Sequence, residues 1–500
     1  MVKKIISTVL VFTLIFILYS PVSASNGTQI GTVGARSTAM GSCFRGLADD
    51  WSAVFFNPAG LTQLNGKWTI GVSNGIIMPR ASYTAKEYPA AMFPFSGMKT
   101  DQVDATPENF FVPSLGIYYK KSEKITFGLG IYAPFGLGSE WDLIDLPPSY
   151  GNSTGISKDK ESYSDHMVIN IQPTIAMKLT DKLSVGVGLN YIWGKMDLDM
   201  VKLAFNPALQ YWGPLTQGLA EYGITLPSLT SNQYRLVIEN NLSGSGSAYG
   251  INLGVHYQAS DKLSFGASLR YNTDLKLSGD NKQIMIMHGD ETKYGVLSLV
   301  PDSAFISPAD PVGTTTKQSL MVLFSGMNIS EKTDVTANLP LPITAGAGIA
   351  YKATDKLTLV ADASWTQWSA WDVIEVEVED GDNIELRQDW KNTIEIGGGV
   401  EYQFSPQFAL RGGFYTVDSP VPDETMSPTI PDPNRRSVIT GGFGYNIGKF
   451  SLNLAGEYVI FADKTVDSYE FDTTTGVAEN YAGKYVFNAF VITTGVQINL

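Results

Sequence analysis

Charge is scarce in this chain. Only 17% of its 500 residues are charged, and the balance is acidic, with a net charge of −14. That sign excludes nucleic acid as a partner, because phosphate binding needs a basic surface. A single cysteine, Cys43, leaves no internal disulfide framework. Three histidines, His166, His256 and His288, offer few bases for hydrolysis, and no closely spaced His/Cys pattern suggests a metal. No phosphate-cradling Gly loop of the G-x-x-x-x-G-K type is present either. The reading is therefore of a protein that is not an enzyme and takes no cofactor. After residue 24 no apolar run reaches the roughly 18 residues of a membrane helix. What the chain has instead is glycine, 49 residues, and aromatics at 11%.

The first 24 residues read as a secretory signal peptide: Lys3 and Lys4, an apolar core from Ile5 to Tyr19, and the small-residue cleavage site Val22-Ser23-Ala24. Residues 25–66 form a second unit. The stretch from Gly31 to Gly66 is rich in Gly, Ala and Ser, carries Asp49 and Asp50, and closes on Asn57-Pro58-Ala59. It shows neither a helical nor a two-residue period, and Pro58 has no N–H for a ladder. Such a compact segment suits a plug inside something larger, with Cys43 as a small buried residue of it.

Residues 67–500 supply the larger object. Ser122-Glu123-Lys124-Ile125, Thr180-Asp181-Lys182-Leu183, Ser260-Asp261-Lys262-Leu263 and Thr354-Asp355-Lys356-Leu357 are near copies, with Ser405-Pro406-Gln407-Phe408 and Asn446-Ile447-Gly448-Lys449-Phe450 as looser ones. Each is a tight turn by composition, and strict alternation follows it. Leu183, Val185, Val187, Leu189, Tyr191 and Trp193 oppose Ser184, Gly186, Gly188 and Asn190. Long strands with terminal Tyr and Trp, short turns alternating with long loops (about 201–233, 280–332 and 418–434), and a final run from Phe490 to Leu500 point to one class. It is an all-β transmembrane outer-membrane barrel of about 14 antiparallel strands, from an opening strand near 67–78 to a closing one near 485–500. Both termini then lie on the periplasmic side. Closure leaves no edge strand in lipid. The final residue, Leu500, replaces the usual terminal aromatic.

Four stretches in order carry a family resemblance: Ala48-Asp49-Asp50 with Asn57-Pro58-Ala59; Ile131-Tyr132-Ala133-Pro134-Phe135-Gly136-Leu137 after the third strand; Leu341-Pro342-Ile343 through Trp365-Thr366-Gln367-Trp368; and Pro431-Asp432-Pro433-Asn434-Arg435. Together they resemble the FadL/TodX outer-membrane transporters of long-chain fatty acids and aromatic hydrocarbons, over almost the whole mature chain. The resemblance implies an N-terminal hatch with Asn57, Pro58 and Ala59 as its motif. It also implies passive uptake of a hydrophobic small molecule, with lateral release into outer-membrane lipid where the third strand kinks at Ala133, Pro134, Phe135 and Gly136. Pro134 removes a ladder donor and Gly136 a side chain, so pairing should fail there, although a strand that simply ends would read the same.

The loops are apolar beyond what solvent tolerates: Phe205, Trp212 and Leu215 in one, Met285 and Met287 in the next. They are candidates to bind ligand or to cap the barrel. By alternation Arg270, Lys276, Arg411, Asp362, Glu395, Glu401 and Glu457 face the lumen. A fatty-acid carboxylate needs a cation, which makes Arg270 and Arg411 candidates, unless these charges pair with each other or with the plug. Long-chain fatty acids are the leading substrate class and aromatic or aliphatic hydrocarbons the alternative. A general porin for small polar solutes fits less well, since it predicts no plug and hydrophilic loops. A monomer is expected.

Overall fold

The computed structural model describes residues 28–31, 33–87, 99–144, 162–205, 216–217, 219–220, 223, 225, 235–286, 295, 297–305, 317–318, 321, 328–379, 383–429, 432–470 and 479–500. The expected signal peptide and the loop residues Trp212, Leu215 and Met287 lie outside them. Phe205 and Met285 are described only as backbone at strand ends.

The chain forms a closed antiparallel barrel of 14 strands. The first six are β1 (Trp68–Ala85), β2 (Phe110–Ser122), β3 (Ile125–Trp141), β4 (Ser162–Lys178), β5 (Leu183–Phe205) and β6 (Arg235–Ser260). Four interrupted strands follow: β7 (Leu263–Asn272 and Leu275–Ile286), β8 (Asn328–Leu339 and Thr344–Lys352), β9 (Leu357–Thr366 and Val373–Val378) and β10 (Ile384–Arg387 and Thr393–Gln403). The last are β11 (Phe408–Val417), β12 (Arg436–Ile447), β13 (Phe450–Phe461) and β14 (Gly483–Asn499). The barrel closes by pairing β1 with β14 from Thr69↔Asn499 to Ala85↔Gly483.

All six repeated turns join neighbouring strands, and in five of them Ser or Thr at the first position holds the turn. Thr180 Oγ1 accepts from the Lys182 and Leu183 amides, and Thr354 does the same for Lys356 and Leu357. The alternation also places side chains as expected. Leu189, Tyr191, Phe265, Ile394, Phe443 and Phe490 are exposed on the outer face, where lipid is the solvent, while Ser184, Asn190 and Thr493 are buried on the inner one.

Strands run further than the turn spacing suggested. The opening strand continues past residue 78 to Ala85, and the third passes through Ala133–Gly136 to Trp141. One inward assignment is corrected: Lys276 is exposed, and Leu275 and Leu277 face the lumen in its place. The ladder breaks at Thr273-Asp274, which slips the parity of the remaining strand by one residue. Similar breaks at residues 340–343, 367–372 and 388–392 drop Leu341, Trp368, Trp371 and Trp390 into the interior.

Candidate functional site

Residues 33–64 pack against the inward faces of the strands. They form α1 (Ala35–Ala39), α2 (Ala53–Phe56) and a 3-10 turn, Pro58–Gln63. Two arginines fasten them. Arg36 pairs with Asp49 and donates to both Glu401 oxygens at 2.9 Å. Arg45 holds Asp362 through its backbone N–H at 2.9 Å and Nη1 at 2.6 Å, and reaches Ser268 and Ser364. Burial pushes the Cys43 thiol well above its ordinary value, so it sits as an inert small residue.

The Asn57-Pro58-Ala59 triplet makes an N-cap. Asn57 Oδ1 accepts from the Ala59 amide, and its Nδ2 donates to the carbonyls of Arg45 and Val255. Pro58, at the first position of the turn, gives up no needed donor. The wall must come close for this: a Cβ on Gly254 would stand 2.2 Å from Asn57 Oδ1, so only glycine fits there.

Above this segment the lumen changes character. A polar floor comes first, in which Asn170 Nδ2 donates to Tyr132 and Asn190, and Asn190 Nδ2 donates to Asn272. Arg270 belongs to the same layer and is 7% exposed. Its Nη2 donates to the Phe55 carbonyl at 2.7 Å, its guanidinium lies 4.4 Å from the Phe55 ring centroid, and its Nε has no partner. No carboxylate of a described residue pairs with it. Arg411 differs: its Nε donates to Glu401 at 2.6 Å and its Nη1 to Asn453 at 2.9 Å, so it belongs to the Arg36 cluster.

Over the polar floor lies an apolar chamber, built from Tyr83, Phe135, Trp141, Ile192, Leu275, Leu339 and the three tryptophans. Trp368, Trp371 and Trp390 pack on one another, two pairs edge to face and one tilted, with centroids 4.5–5.6 Å apart. A narrow cavity of about 40 Å³ lies beside them between β5 and β10, lined by Met196, Leu242, Leu277, Val335, Ala337 and Ile374 among others. That volume is far below the range of ligand pockets, but the lining is apolar, as a hydrocarbon chain requires. Turn motifs could not reveal the tryptophans as neighbours, since only the breaks in β9 and β10 bring them together.

The wall itself is interrupted beside this chamber. β2 and β3 pair only from Leu115↔Ile131 to Ser122↔Ile125. Above that, β2 stays with β1, and β3 stays with β4 across a register shift between Tyr132 and Phe135. Alternation ends at the same point: Tyr132, Ala133, Pro134, Phe135 and Gly136 are buried in succession, as a strand leaving the lipid-facing surface must be. The freed backbone groups find partners inside. Ile30 N donates to the Pro134 carbonyl at 2.9 Å, and Gly136 N donates to the Thr28 carbonyl at 2.8 Å. Phe110, Val112, Ala133 and Ile30 fill the interruption with apolar side chains.

Comparison with known proteins agrees with this architecture. Residues 16–500 match the family model described as outer membrane protein transport protein (OMPP1/FadL/TodX). The chain is 27% identical over 441 residues to a putative outer membrane protein of Neisseria meningitidis, covering 85% of this chain and 84% of that one. It is 21% identical over 409 residues to the long-chain fatty acid transport protein of Escherichia coli K12, with 80% of each covered. Among solved structures, a Pseudomonas aeruginosa FadL homologue superposes with a TM-score of 0.69 at 16% identity, over 95% of this chain and 99% of that one. The Pseudomonas putida toluene transporter TodX does so with 0.64 at 17%, over 94% and 98%. The chain belongs to the OMPP1/FadL/TodX family of outer-membrane transport proteins, which carry hydrophobic compounds across the outer membrane.

Proposed function

We propose that the protein takes up long-chain fatty acids passively and releases them sideways into the outer membrane between β2 and β3. The observation that carries the carboxylate end of this reading is Arg270. Its guanidinium is buried at the base of an apolar chamber, stacked on Phe55, with an open Nε donor and no carboxylate among the described residues. A buried charge without a counter-ion is costly, and an incoming carboxylate relieves that cost. The narrow cavity above is lined by apolar side chains that suit a tail.

Residues 25–66 act as a hatch, sealed by the Arg36 and Arg45 ion pairs, so straight passage to the periplasm is closed. The exit is the interruption beside Ala133–Gly136, where no ladder joins β2 to β3. Partitioning into lipid drives the net flow. The curated relative from Escherichia coli, named for long-chain fatty acid transport, supports the same substrate. The tryptophan cluster favours a second reading, an aromatic hydrocarbon as ligand, the substrate class named for the toluene transporter it resembles.

Mass spectrometry of small molecules co-purifying with the detergent-extracted protein separates them. A fatty acid is expected, retained by the wild type and lost in Arg270→Ala. An aromatic or alkane ligand indifferent to that change would move the protein to the hydrocarbon reading.

A further inference from the structure

The outer face of the barrel carries a groove that the account above does not use. It crosses β12, β13, β14 and β1, holds about 460 Å³ of space and is lined by Val72, Phe443, Leu452, Leu454, Val496 and Ile498 among others. These side chains stand on the lipid side of their strands. Ser73, next to Val72, turns the other way and accepts from the Gly34 amide inside the barrel. No charged side chain lines the groove. Its volume falls in the range of ligand pockets, and its lining suits an acyl chain.

Two polar side chains break this lining, Asn74 of β1 and Thr494 of β14. They are direct partners in the ladder that closes the barrel. Trp68 and Tyr119, with ring centroids 4.8 Å apart, mark the rim on the side of the short turns. Asn74 lies further along β1, about 15 Å into the apolar band for a tilted strand. A polar group at that depth has no water to bond and needs a partner in protein or ligand. Asn74 Oδ1 has none: it is covered and accepts no hydrogen bond. With no donor holding that oxygen, the broad terminal torsion lets the amide turn toward the groove. Position ties the pair to the exit. Asn74 is the partner of Pro113 on β2, the first outward residue of β2 beyond its last pair with β3, Leu115↔Ile131. The interruption is thus two strand spacings from Asn74, about 10 Å.

We propose that this groove is a receiving site for the released fatty acid, which lies along it in its neutral, protonated form. The chemistry chooses that occupant. A carboxylate would be stranded there, since the groove offers no cation. A hydrocarbon, or the acyl chain of a phospholipid, brings no donor for Asn74 Oδ1. A carboxylic acid brings both parts. Its O–H donates to the Asn74 amide oxygen, its carbonyl accepts from the Thr494 hydroxyl, and its tail covers Leu452, Leu454 and Val496. The acid leaving the barrel then exchanges one set of polar partners for another instead of entering lipid bare. This inference rests on the lateral release of a fatty acid given above.

The test uses the full mature chain in phosphatidylcholine nanodiscs with a palmitic acid carrying a diazirine in mid-chain, crosslinked by light and located by peptide mass spectrometry. The methyl ester of that probe and a phosphatidylcholine bearing the same acyl chain are the controls. The acid is expected to label the peptides of Leu452, Leu454 and Val496 well above either control. Asn74→Leu is expected to lower that labelling about fivefold, the effect of one lost hydrogen bond, and to leave Arg270-dependent binding of palmitate unchanged. Equal labelling by acid, ester and phospholipid would mean that the groove holds only bulk lipid, and it overturns the receiving site. So does an Asn74→Leu variant that labels like the wild type. Either result, with Arg270-dependent binding intact, leaves the proposed function standing; absence of both groove labelling and that binding overturns both. If Asn74→Leu does not assemble into a barrel, Thr494→Val decides, because it replaces only a hydroxyl: the same fall supports the site, and unchanged labelling overturns it.

Discussion

The guanidinium of Arg270 lies 4.4 Å from the ring centroid of Phe55 and donates to that residue's own carbonyl at 2.7 Å. A strand of the wall and a short helix of the N-terminal segment therefore share one buried cation. The ring aims the guanidinium, and the carbonyl takes only one of its donors. Phe55→Leu keeps the carbonyl and removes the ring. Stacking of this kind is worth about 0.5–2 kcal/mol, so fatty-acid affinity is expected to fall several-fold while an uncharged ester binds as before. Isothermal titration with palmitate and methyl palmitate checks it. Equal losses for both would show that the ring serves the tail.

The proposed hatch rests on a different arginine. Arg36 stands between Asp49 of its own segment and Glu401 of β10, and Arg411 completes the group from β11. Removing one member of a buried ionic cluster costs about 3–5 kcal/mol, because the remaining charges lose their compensation. Arg36→Ala is expected to loosen the N-terminal segment without breaking the barrel, whose ladder it does not join. In a planar bilayer the wild type should pass little steady current and the variant a large one. A wild type that already conducts freely would instead favour an open porin.

Much of the barrel was legible because its turns are written locally. Thr180 and Thr354 cap their own turns within three residues, and a two-residue period needs no knowledge of partners. The passage of the third strand was legible only as an anomaly, Pro134 and Gly136 in an apolar run. That the chain continues to Trp141 depends on Thr28 and Ile30, about a hundred residues earlier, supplying its missing bonds. The parity slip at Thr273-Asp274 left no mark that alternation alone detects, so Lys276 was placed inward. Arg270 and Arg411 look equivalent in sequence. Only tertiary contact distinguishes them, since Glu401 stands beside one and the Phe55 ring beside the other. The tryptophan cluster was hidden for the same reason, its members lying on two separate breaks in the ladder.

Glycines on the two faces of one sheet region should behave in opposite ways. A Cβ on Gly399, which faces inward, would stand 2.3 Å from the Met40 carbonyl oxygen. A Cβ on Gly412, which faces outward, would meet nothing closer than 3.8 Å. Gly399→Ala forces backbone apart and is expected to destabilise the packed N-terminal segment by about 1–3 kcal/mol. Gly412→Ala is expected to be neutral. Thermal unfolding in detergent, followed beside bilayer current, reads both. A neutral Gly399→Ala would mean that residues 33–64 do not sit against β10 in the membrane.

Chain-length selectivity should reside in the apolar cavity rather than at Arg270. Ala337 lines it from β8, paired in the ladder with Leu277. Ala337→Trp places an indole in a cavity of only about 40 Å³, and overfilling a packed apolar site typically costs about 1–3 kcal/mol. A long acyl chain that needs the space must pay or withdraw, whereas a short one reaching only from Arg270 to the chamber floor does not enter it. The variant is therefore expected to bind palmitate about tenfold more weakly and octanoate as the wild type does. Competition binding across a series of straight-chain acids measures this directly. Equal weakening at every length would place the tail elsewhere, while loss of short acids alone would put the carboxylate, not the tail, beside Ala337.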